Sequence, residues 1–103
     1  IISFCDIIGH MITSFHDDAT ESIWRGEFTK KLPNQIQAVA RRKLRMVANA
    51  RALEDLRSPP NNRLEALIGD RAGQHSIRIN DQWRVCFVWN SGHAERVEVC
   101  DYH

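Results

Sequence analysis

The chain has little of what marks several common functional classes. Its apolar runs all fall short of the roughly 18 residues that a membrane-spanning helix needs, so the sequence predicts no membrane span. Its 3 cysteines include no Cys-x-x-Cys pair, which argues against a zinc site or a redox motif and favours free thiols in a reducing cytoplasm. The net charge is only +1, so no overall basic field indicates nucleic-acid binding, and individual arginines have to carry that argument.

Familiar catalytic motifs are also missing. The sequence contains no Gly-rich phosphate loop, His-Glu-x-x-His pair, Ser-His-Asp order or metal-ligand spacing, so we expect neither a metal nor a cofactor. Residues 1–10 lack the basic segment and the small-residue cleavage site of a signal peptide. The segment IISF at residues 1–4 is nearly repeated as MITSF from Met11 onward. We therefore expect Met11 to be the native start and residues 1–10 to be an added or upstream extension; a genuine extra strand is the alternative.

What the chain does contain predicts a single small domain. Its composition, 43% hydrophobic and 26% charged, is ordinary for a globular protein. Residues 12–15 are a short strand candidate, and Asp17 or Asp18 can cap a helix that continues through Trp24 and ends at Gly26. A second helix opens at Pro33-Asn34 and continues to about residue 51. Its core-facing stripe at helical spacing consists of Ile36, Val39, Ala40, Leu44 and Val47.

Beyond a breaker at residues 57–62, the pattern changes to short apolar-alternating strands joined by Gly, Asn and Asp turns. The order is one strand, two helices and then a run of strands. Such an order predicts an α+β fold, with the two N-terminal helices packed on one face of a small, mostly antiparallel sheet. Residues 11–103 would form this one domain.

The strand pattern predicts where two arginines lie. Residues 76–80 and 83–89 read as neighbouring strands, and a three-residue loop at residues 80–82 keeps the core face apolar. That register pairs Ile77 with Val85 and Arg78 with Arg84, which places both arginines on the face away from the core. Like charges in direct opposition are unfavourable. Either both guanidinium groups are solvated, or an anion such as a phosphate binds between them.

The last strand carries an acid/base-capable cluster at its end. It follows a turn at residues 90–92, and Val97 with Val99 should face the core, so Glu98, Cys100 and Tyr102 share the arginine face. Strict alternation sends Asp101 and His103 to the opposite side unless the chain end curls.

The polar loop before the strands offers two further candidates. Arg71 either holds an RNA backbone or pairs with its neighbour Asp70. His75 is in phase with Ile77, so it is either a partly buried structural histidine or a functional one.

Together these residues resemble a known family, the HigB branch of the RelE-like bacterial toxins. The resemblance covers the chain from Met11 onward and rests on a combination of short motifs: Leu67, Gly69-Asp70-Arg71, Gly73, Ser76-Ile77, Trp83-Arg84 and Asp101-Tyr102-His103. It implies the RelE-like fold, a small sheet with two helices. It also implies a toxin of a type II toxin–antitoxin module, a cytoplasmic ribonuclease that cuts mRNA on the ribosome.

The family's partners follow from the same resemblance. A HigA-type helix-turn-helix antitoxin is expected to hold the toxin inactive, and operator DNA is contacted only through that antitoxin. The expected chemistry is attack of a ribose 2′-hydroxyl on the adjacent phosphate without a metal, which needs a base, an acid and cations around the phosphate.

Carried over to this sequence, the resemblance assigns roles to individual residues. His103 would be the leading base or acid, Tyr102 its neighbour and Asp101 the group that orients it. Arg84 would stabilise the phosphate, and Arg71, Arg78 and His75 would bind RNA. Glu65 and Ile68 stand where family members have a histidine and a lysine; Glu65 retains a basic group, whereas Ile68 removes a cation. A second function therefore stays open, that of a weakly active or inactive member that serves as antitoxin-binding partner and co-repressor.

Overall fold

The computed structural model describes residues 12–101. Two helices come first, α1 (Asp18–Trp24) and α2 (Asn34–Asn49). Four strands follow: β1 (Glu65–Ala66), β2 (Gln74–Arg78), β3 (Arg84–Asn90) and β4 (His93–Cys100). Single 3-10 turns at Leu53–Arg57, Pro60–Asn62 and Gly69–Arg71 connect them. The expected start at Met11, the extension 1–10 and the terminal pair Tyr102-His103 lie outside the described residues.

Local chemistry explains where both helices begin and end. Asp17 is the cap of α1, because its Oδ1 accepts a hydrogen bond from the Thr20 amide at 2.9 Å. Gly26 follows the end of α1 with φ +82°, a conformation that glycine adopts without steric cost. Helix α2 follows Pro33 and stops at Asn49, slightly earlier than the sequence predicted, because Ala50 turns to extended backbone.

The core lies between α2 and one face of the sheet. The predicted stripe is buried at Ile36, Ala40, Leu44 and Val47, while Val39 is only partly covered. From the sheet, the same core receives the side chains of Ile77, Val85, Phe87, Val97 and Val99. Truncation of a fully buried leucine such as Leu44 to alanine should lower the free energy of unfolding by about 2–5 kcal/mol.

The sheet has the order β1-β2-β3-β4, and every neighbouring pair is antiparallel. The register predicted from the sequence is confirmed, with Ile77 opposite Val85 and Arg78 opposite Arg84. The β3–β4 turn is a tight hairpin at Ser91-Gly92, where both residues have positive φ. The α+β class, with helices on one face of a mostly antiparallel sheet, is therefore confirmed.

The predicted strand at residues 12–15 is reduced to two isolated parallel bridges along the outer edge of β4, Ile12 to Ala94 and Phe15 to Val97. A bulge in β4 accompanies this contact, because Cys86 pairs with Glu98 whereas Val88 pairs with Glu95. The extra residue is Arg96, with φ 52°. One inserted residue lets Ala94 and Val97 face the same core although they are three positions apart.

None of the helices between residues 12 and 101 is long and apolar enough to cross a membrane.

Candidate functional site

The sheet face opposite the helices carries the candidate site. At its centre lies a small apolar cluster of Leu67, Cys86 and Cys100. Charged side chains from four different elements surround this cluster: Glu65, Arg71, Arg84 and Glu98. Strand alternation brings Arg84, Glu98 and Cys100 to one face, as the sequence predicted.

Three hydrogen bonds hold Arg84 on this face. Its Nε donates to the Ser76 hydroxyl at 2.7 Å, and its Nη2 donates to the carbonyls of Arg63 at 2.5 Å and Ser76 at 3.3 Å. The Glu65 carboxylate lies 3.6 Å from Nε, and only 15% of the Arg84 side chain is exposed. Hydrogen bonds to backbone carbonyls fix the plane of a guanidinium without neutralising its charge. Within residues 12–101 no hydrogen bond engages Nη1, so one edge of the group can bind an anion.

Arg78 lies beside Arg84 but has a different partner. Its Nη2 donates to Asp81 Oδ1 at 2.6 Å, and the Asp81 side chain is 99% exposed. The two like charges tolerate their direct opposition because each is next to a separate carboxylate, Asp81 for Arg78 and Glu65 for Arg84. An ion pair as exposed as that of Arg78 stabilises by about 0–1 kcal/mol and can exchange for another anion.

Arg71 is positioned by the 3-10 turn Gly69–Arg71 at the edge of the same face. Its Nη1 donates to Glu98 Oε1 at 3.2 Å and to Gln74 Oε1 at 3.1 Å. Burial opposes the charge of Arg71, but the nearby Cys100 thiol and the bond to Glu98 outweigh it and raise the pKa of the guanidinium. The sequence left two partners open for Arg71, Asp70 and an RNA backbone. The ion pair with Glu98 is neither of these.

A groove of about 440 Å³ lies beside Arg71 and opens to solvent. It is polar, and its walls come from the N-terminal segment, the 69–74 turn and β4: His16, Asp70, Arg71, Gln74, Arg96 and Glu98. Its lining combines two arginines and a histidine with the carboxylates of Asp70 and Glu98, so an anion that binds Arg71 there has to displace Glu98.

The chain end leaves the sheet next to Arg84, because Cys100, the last residue of β4, is the register partner of Arg84. Asp101 Oδ2 accepts a hydrogen bond from Gln82 Nε2 at 2.8 Å, so the loop before β3 holds this carboxylate. Tyr102 and His103, the predicted acid/base residues, follow directly and lie outside the described part of the chain.

His75 is not brought together with the other predicted RNA-binding residues. It points to the helix side of the sheet, where its ring stacks on Phe87 with centroids 6.5 Å apart and planes at 25°. Its Nδ1 is buried, and no hydrogen-bond partner for it occurs among residues 12–101. The structural and the functional role that the sequence left open for His75 both stay predictions.

Glu65 and Ile68 lie at the β1 edge of the site. Glu65 is exposed, pairs in register with Ser76 and reaches Arg84, so it is the described carboxylate nearest to the firmly held cation. Ile68 has 88% of its surface exposed, which is unusual for a large apolar side chain.

Several contacts of the site were not predicted from the sequence. Ser76 anchors Arg84, and its alternation in phase with Arg84 is the signal in the sequence that indicates this contact. The sulfur atoms of Cys86 and Cys100 lie 2.9 Å apart, a proximity that the sequence does not predict.

A metal ion has one candidate set of ligands in the described part of the chain. Donor atoms of His16, Asp17 and Glu98 lie within 4.8 Å of one another. Asp17 already caps α1, and Glu98 already binds Arg71, so a metal would compete with both contacts. The donor set therefore gives no reason to place a metal there.

Comparison with known proteins agrees with this fold. The family model described as the RelE-like toxin of type II toxin–antitoxin system HigB matches residues 13–103. Toxin HigB-1 of Vibrio cholerae is 39% identical over 85 residues, which cover 82% of this chain and 90% of that protein. An uncharacterized protein of Haemophilus influenzae is 32% identical over 84 residues, covering 81% of this chain and 83% of its own.

Among solved structures, the YoeB–YefM complex from Staphylococcus aureus contains a chain of the same fold. The TM-score is 0.56 at 14% identity, with 89% of this chain and 97% of that chain covered. The chain therefore belongs to the HigB family of RelE-like toxins of type II toxin–antitoxin systems.

Proposed function

We propose that this toxin is a ribosome-dependent mRNA endonuclease that inhibits translation. The observation that carries the proposal is the geometry of Arg84. Ser76 and Arg63 hold the guanidinium at the end of the strand that leads into residue 101, and among residues 12–101 its Nη1 makes no hydrogen bond. A preorganised cation of this kind stabilises charge that develops on a phosphate during the reaction.

In the proposed reaction, the 2′-hydroxyl of one nucleotide attacks the adjacent phosphorus atom. A 2′,3′-cyclic phosphate forms, and the 5′-oxygen of the next nucleotide leaves with a proton. His103 is the proposed base or acid, Tyr102 its neighbour, and Asp101 orients or tunes the histidine. Glu65 can share the proton transfer because it lies beside Arg84, 3.6 Å from its Nε. The steps use side chains of this chain and require no metal or cofactor.

RNA would lie along the open face and the polar groove beside it. Arg71 and Arg78 are proposed to bind the RNA backbone, because both sit on this face and their present partners, Glu98 and Asp81, are carboxylates that an RNA phosphate can replace. The placement of His75 on the helix side gives no support to the RNA contact predicted for it. Dependence on the ribosome agrees with a net charge of only +1, since binding naked RNA rests heavily on basic surface.

The proposed partner is a protein antitoxin of the HigA helix-turn-helix type, and operator DNA would be reached only through it. The solved structure of the same fold is that of a YoeB–YefM complex, which supports a protein partner for this chain. The proposed location is the cytoplasm, where translating ribosomes are found.

The deciding experiment is cleavage of a defined mRNA by the purified toxin with and without programmed ribosomes. Fragments with 2′,3′-cyclic phosphate ends that appear only with ribosomes support the proposal. Equal cleavage of naked mRNA would make the protein a general ribonuclease, and absence of cleavage in both reactions would contradict the enzymatic function.

A second candidate function is that of a weak or inactive toxin that acts as antitoxin-binding partner and co-repressor. Two residues at the β1 edge that differ from the family pattern favour this function. Glu65 places a carboxylate beside Arg84, and the exposed Ile68 stands in place of a cation. The double variant Glu65→His with Ile68→Lys separates the two functions. A cleavage rate that rises at least about tenfold identifies the native protein as the weak member, and an unchanged or lower rate argues against it.

A further inference from the structure

The open face contains a second reactive group, a pair of thiols that the proposed cleavage chemistry does not use. Cys86 and Cys100 are free, both are buried, and their Sγ atoms lie 2.9 Å apart. Leu67 packs against both, and the Arg71–Glu98 ion pair lies next to them.

The two thiols are chemically different. Either sulfur can donate the hydrogen bond between them, and this bond lowers the pKa of the Cys100 thiol although burial opposes the charged form. The same bond and burial raise the pKa of Cys86. Cys100 ends β4 and has 7% of its surface exposed, whereas Cys86 is fully covered. Two thiols in contact, of which the slightly more accessible one has the lowered pKa, are the arrangement of a redox-sensitive cysteine with its resolving partner.

We propose that Cys86 and Cys100 form a reversible modification site, at which a hydroperoxide oxidises the pair to a disulfide and thereby alters the adjoining strand end. The Cys100 thiolate attacks one peroxide oxygen and forms a sulfenic acid, and the alkoxide or hydroxide that leaves takes up a proton. Cys86 then attacks the Cys100 sulfur, and water leaves with the Cys86 proton. The two sulfur atoms together lose two electrons, which reduce the O–O bond.

The strand register indicates what the new bond would do. Cys86 pairs with Glu98 and Cys100 with Arg84, so the cysteines are diagonal neighbours on one face rather than direct partners. Diagonal positions lie about 7–8 Å apart, at or beyond the long end of the Cα separation that a disulfide spans. Closing the bond therefore has to pull the end of β4 against β3, and Asp101, which directly follows β4, must move with it.

The test is peptide mapping of the folded toxin after treatment with hydrogen peroxide and blocking of the remaining thiols. Trypsin cleaves after Arg84 and Arg96, so Cys86 and Cys100 fall in separate peptides, 85–96 and 97–103, while Cys5 falls in a third. We expect these two peptides joined, with a mass lower by two hydrogens than their sum and released by dithiothreitol. A cross-link through Cys5, or sulfinic acid at Cys100 without any cross-link, would overturn the proposal.

Two matched variants sharpen this test. Cys5→Ser should form the same cross-link, whereas Cys86→Ala should not form it and should leave Cys100 to oxidise further. If Cys86→Ala does not fold, the wild-type peptide map still decides the question.

The effect on cleavage rests on the proposed function, whereas the cross-link does not. Oxidised toxin should cut ribosome-bound mRNA about 10- to 100-fold more slowly than reduced toxin, as expected for displaced active groups. Dithiothreitol should restore the cleavage rate of the oxidised wild type. The cleavage rate of peroxide-treated Cys86→Ala should not recover when dithiothreitol is added. Full activity of the cross-linked protein would show that the bond leaves the strand end in place. Absence of cleavage by the reduced protein would instead count against the proposed function.

Discussion

Arg84 donates from Nε to the hydroxyl of Ser76 at 2.7 Å, across the β2–β3 ladder. The bond links two residues that alternate onto the open face of the sheet. It turns a strand arginine that would otherwise be mobile into a cation of fixed position, which is what charge stabilisation on a phosphate requires. Two predictions concern this arginine and its neighbour.

Arg84→Ala should lower mRNA cleavage by about 10²–10³, the usual loss for one preorganised donor. It should also lower the free energy of unfolding by about 1–3 kcal/mol, because the carbonyls of Arg63 and Ser76 lose their donor. Single-turnover cleavage on programmed ribosomes and urea denaturation measure the two effects. Normal cleavage by the folded fraction would make Arg84 a structural residue only.

Arg78→Ala is the matched control on the neighbouring strand. Its ion pair is with the exposed Asp81, so the free energy of unfolding should change by less than about 1 kcal/mol. Cleavage should fall, but less than for Arg84→Ala, because Arg78 is held by a single exposed carboxylate. A larger loss of cleavage than that of Arg84→Ala would reverse the proposed order of the two arginines.

His103→Ala should slow the cleavage step by about 10²–10⁴, the usual contribution of one positioned acid or base. Removal of Tyr102 and His103 together should abolish toxicity and leave antitoxin binding unchanged, since the packed residues Val97 and Val99 precede the cut. Growth inhibition measures toxicity, and co-purification with the antitoxin measures antitoxin binding. A toxic chain that ends at Asp101 would move the proposed chemistry to Glu65, Arg71 and Arg84.

Lys43 provides a prediction about pH. It is only 5% exposed on α2, and its Nζ donates to the buried Asn62 at 2.6 Å, so burial, followed by repulsion from Arg42 and Arg78, lowers its pKa from 10.5. In the range between the lowered pKa and 10.5, the unfolded chain binds more protons than the folded one. The free energy of unfolding should therefore rise with pH there, as far as Lys43 contributes.

Urea denaturation of wild type and Lys43→Met across pH 8 to 10.5 isolates this contribution. As pH rises, the free energy of unfolding of wild type should increase relative to that of Lys43→Met. A difference that is constant with pH would show that Lys43 keeps an ordinary pKa in the folded protein.

Deletion of residues 1–10 should leave the melting temperature and antitoxin binding nearly unchanged. This expectation follows from the prediction that residues 1–10 are an added or upstream extension. A large loss of thermal stability would show instead that they form a genuine element of the fold.

The sequence by itself determined the two helices and the register of β2 against β3. Period-2 alternation allowed only one pairing that kept Ile77 and Val85 in the core, so Arg78 and Arg84 had to be neighbours. Helix α2 followed in the same way from one apolar stripe. These features depend on local spacing and on the separation of apolar from charged faces, both of which are readable along the chain.

Only the tertiary structure decided which partners those side chains have. Arg84 binds Ser76 and Arg63, Arg71 binds Glu98, and Cys86 contacts Cys100. Each contact joins residues from separate strands or turns, and strand twist and the bulge at Arg96 set their distances. No periodicity encodes such distances, because they depend on how the whole sheet packs against α2.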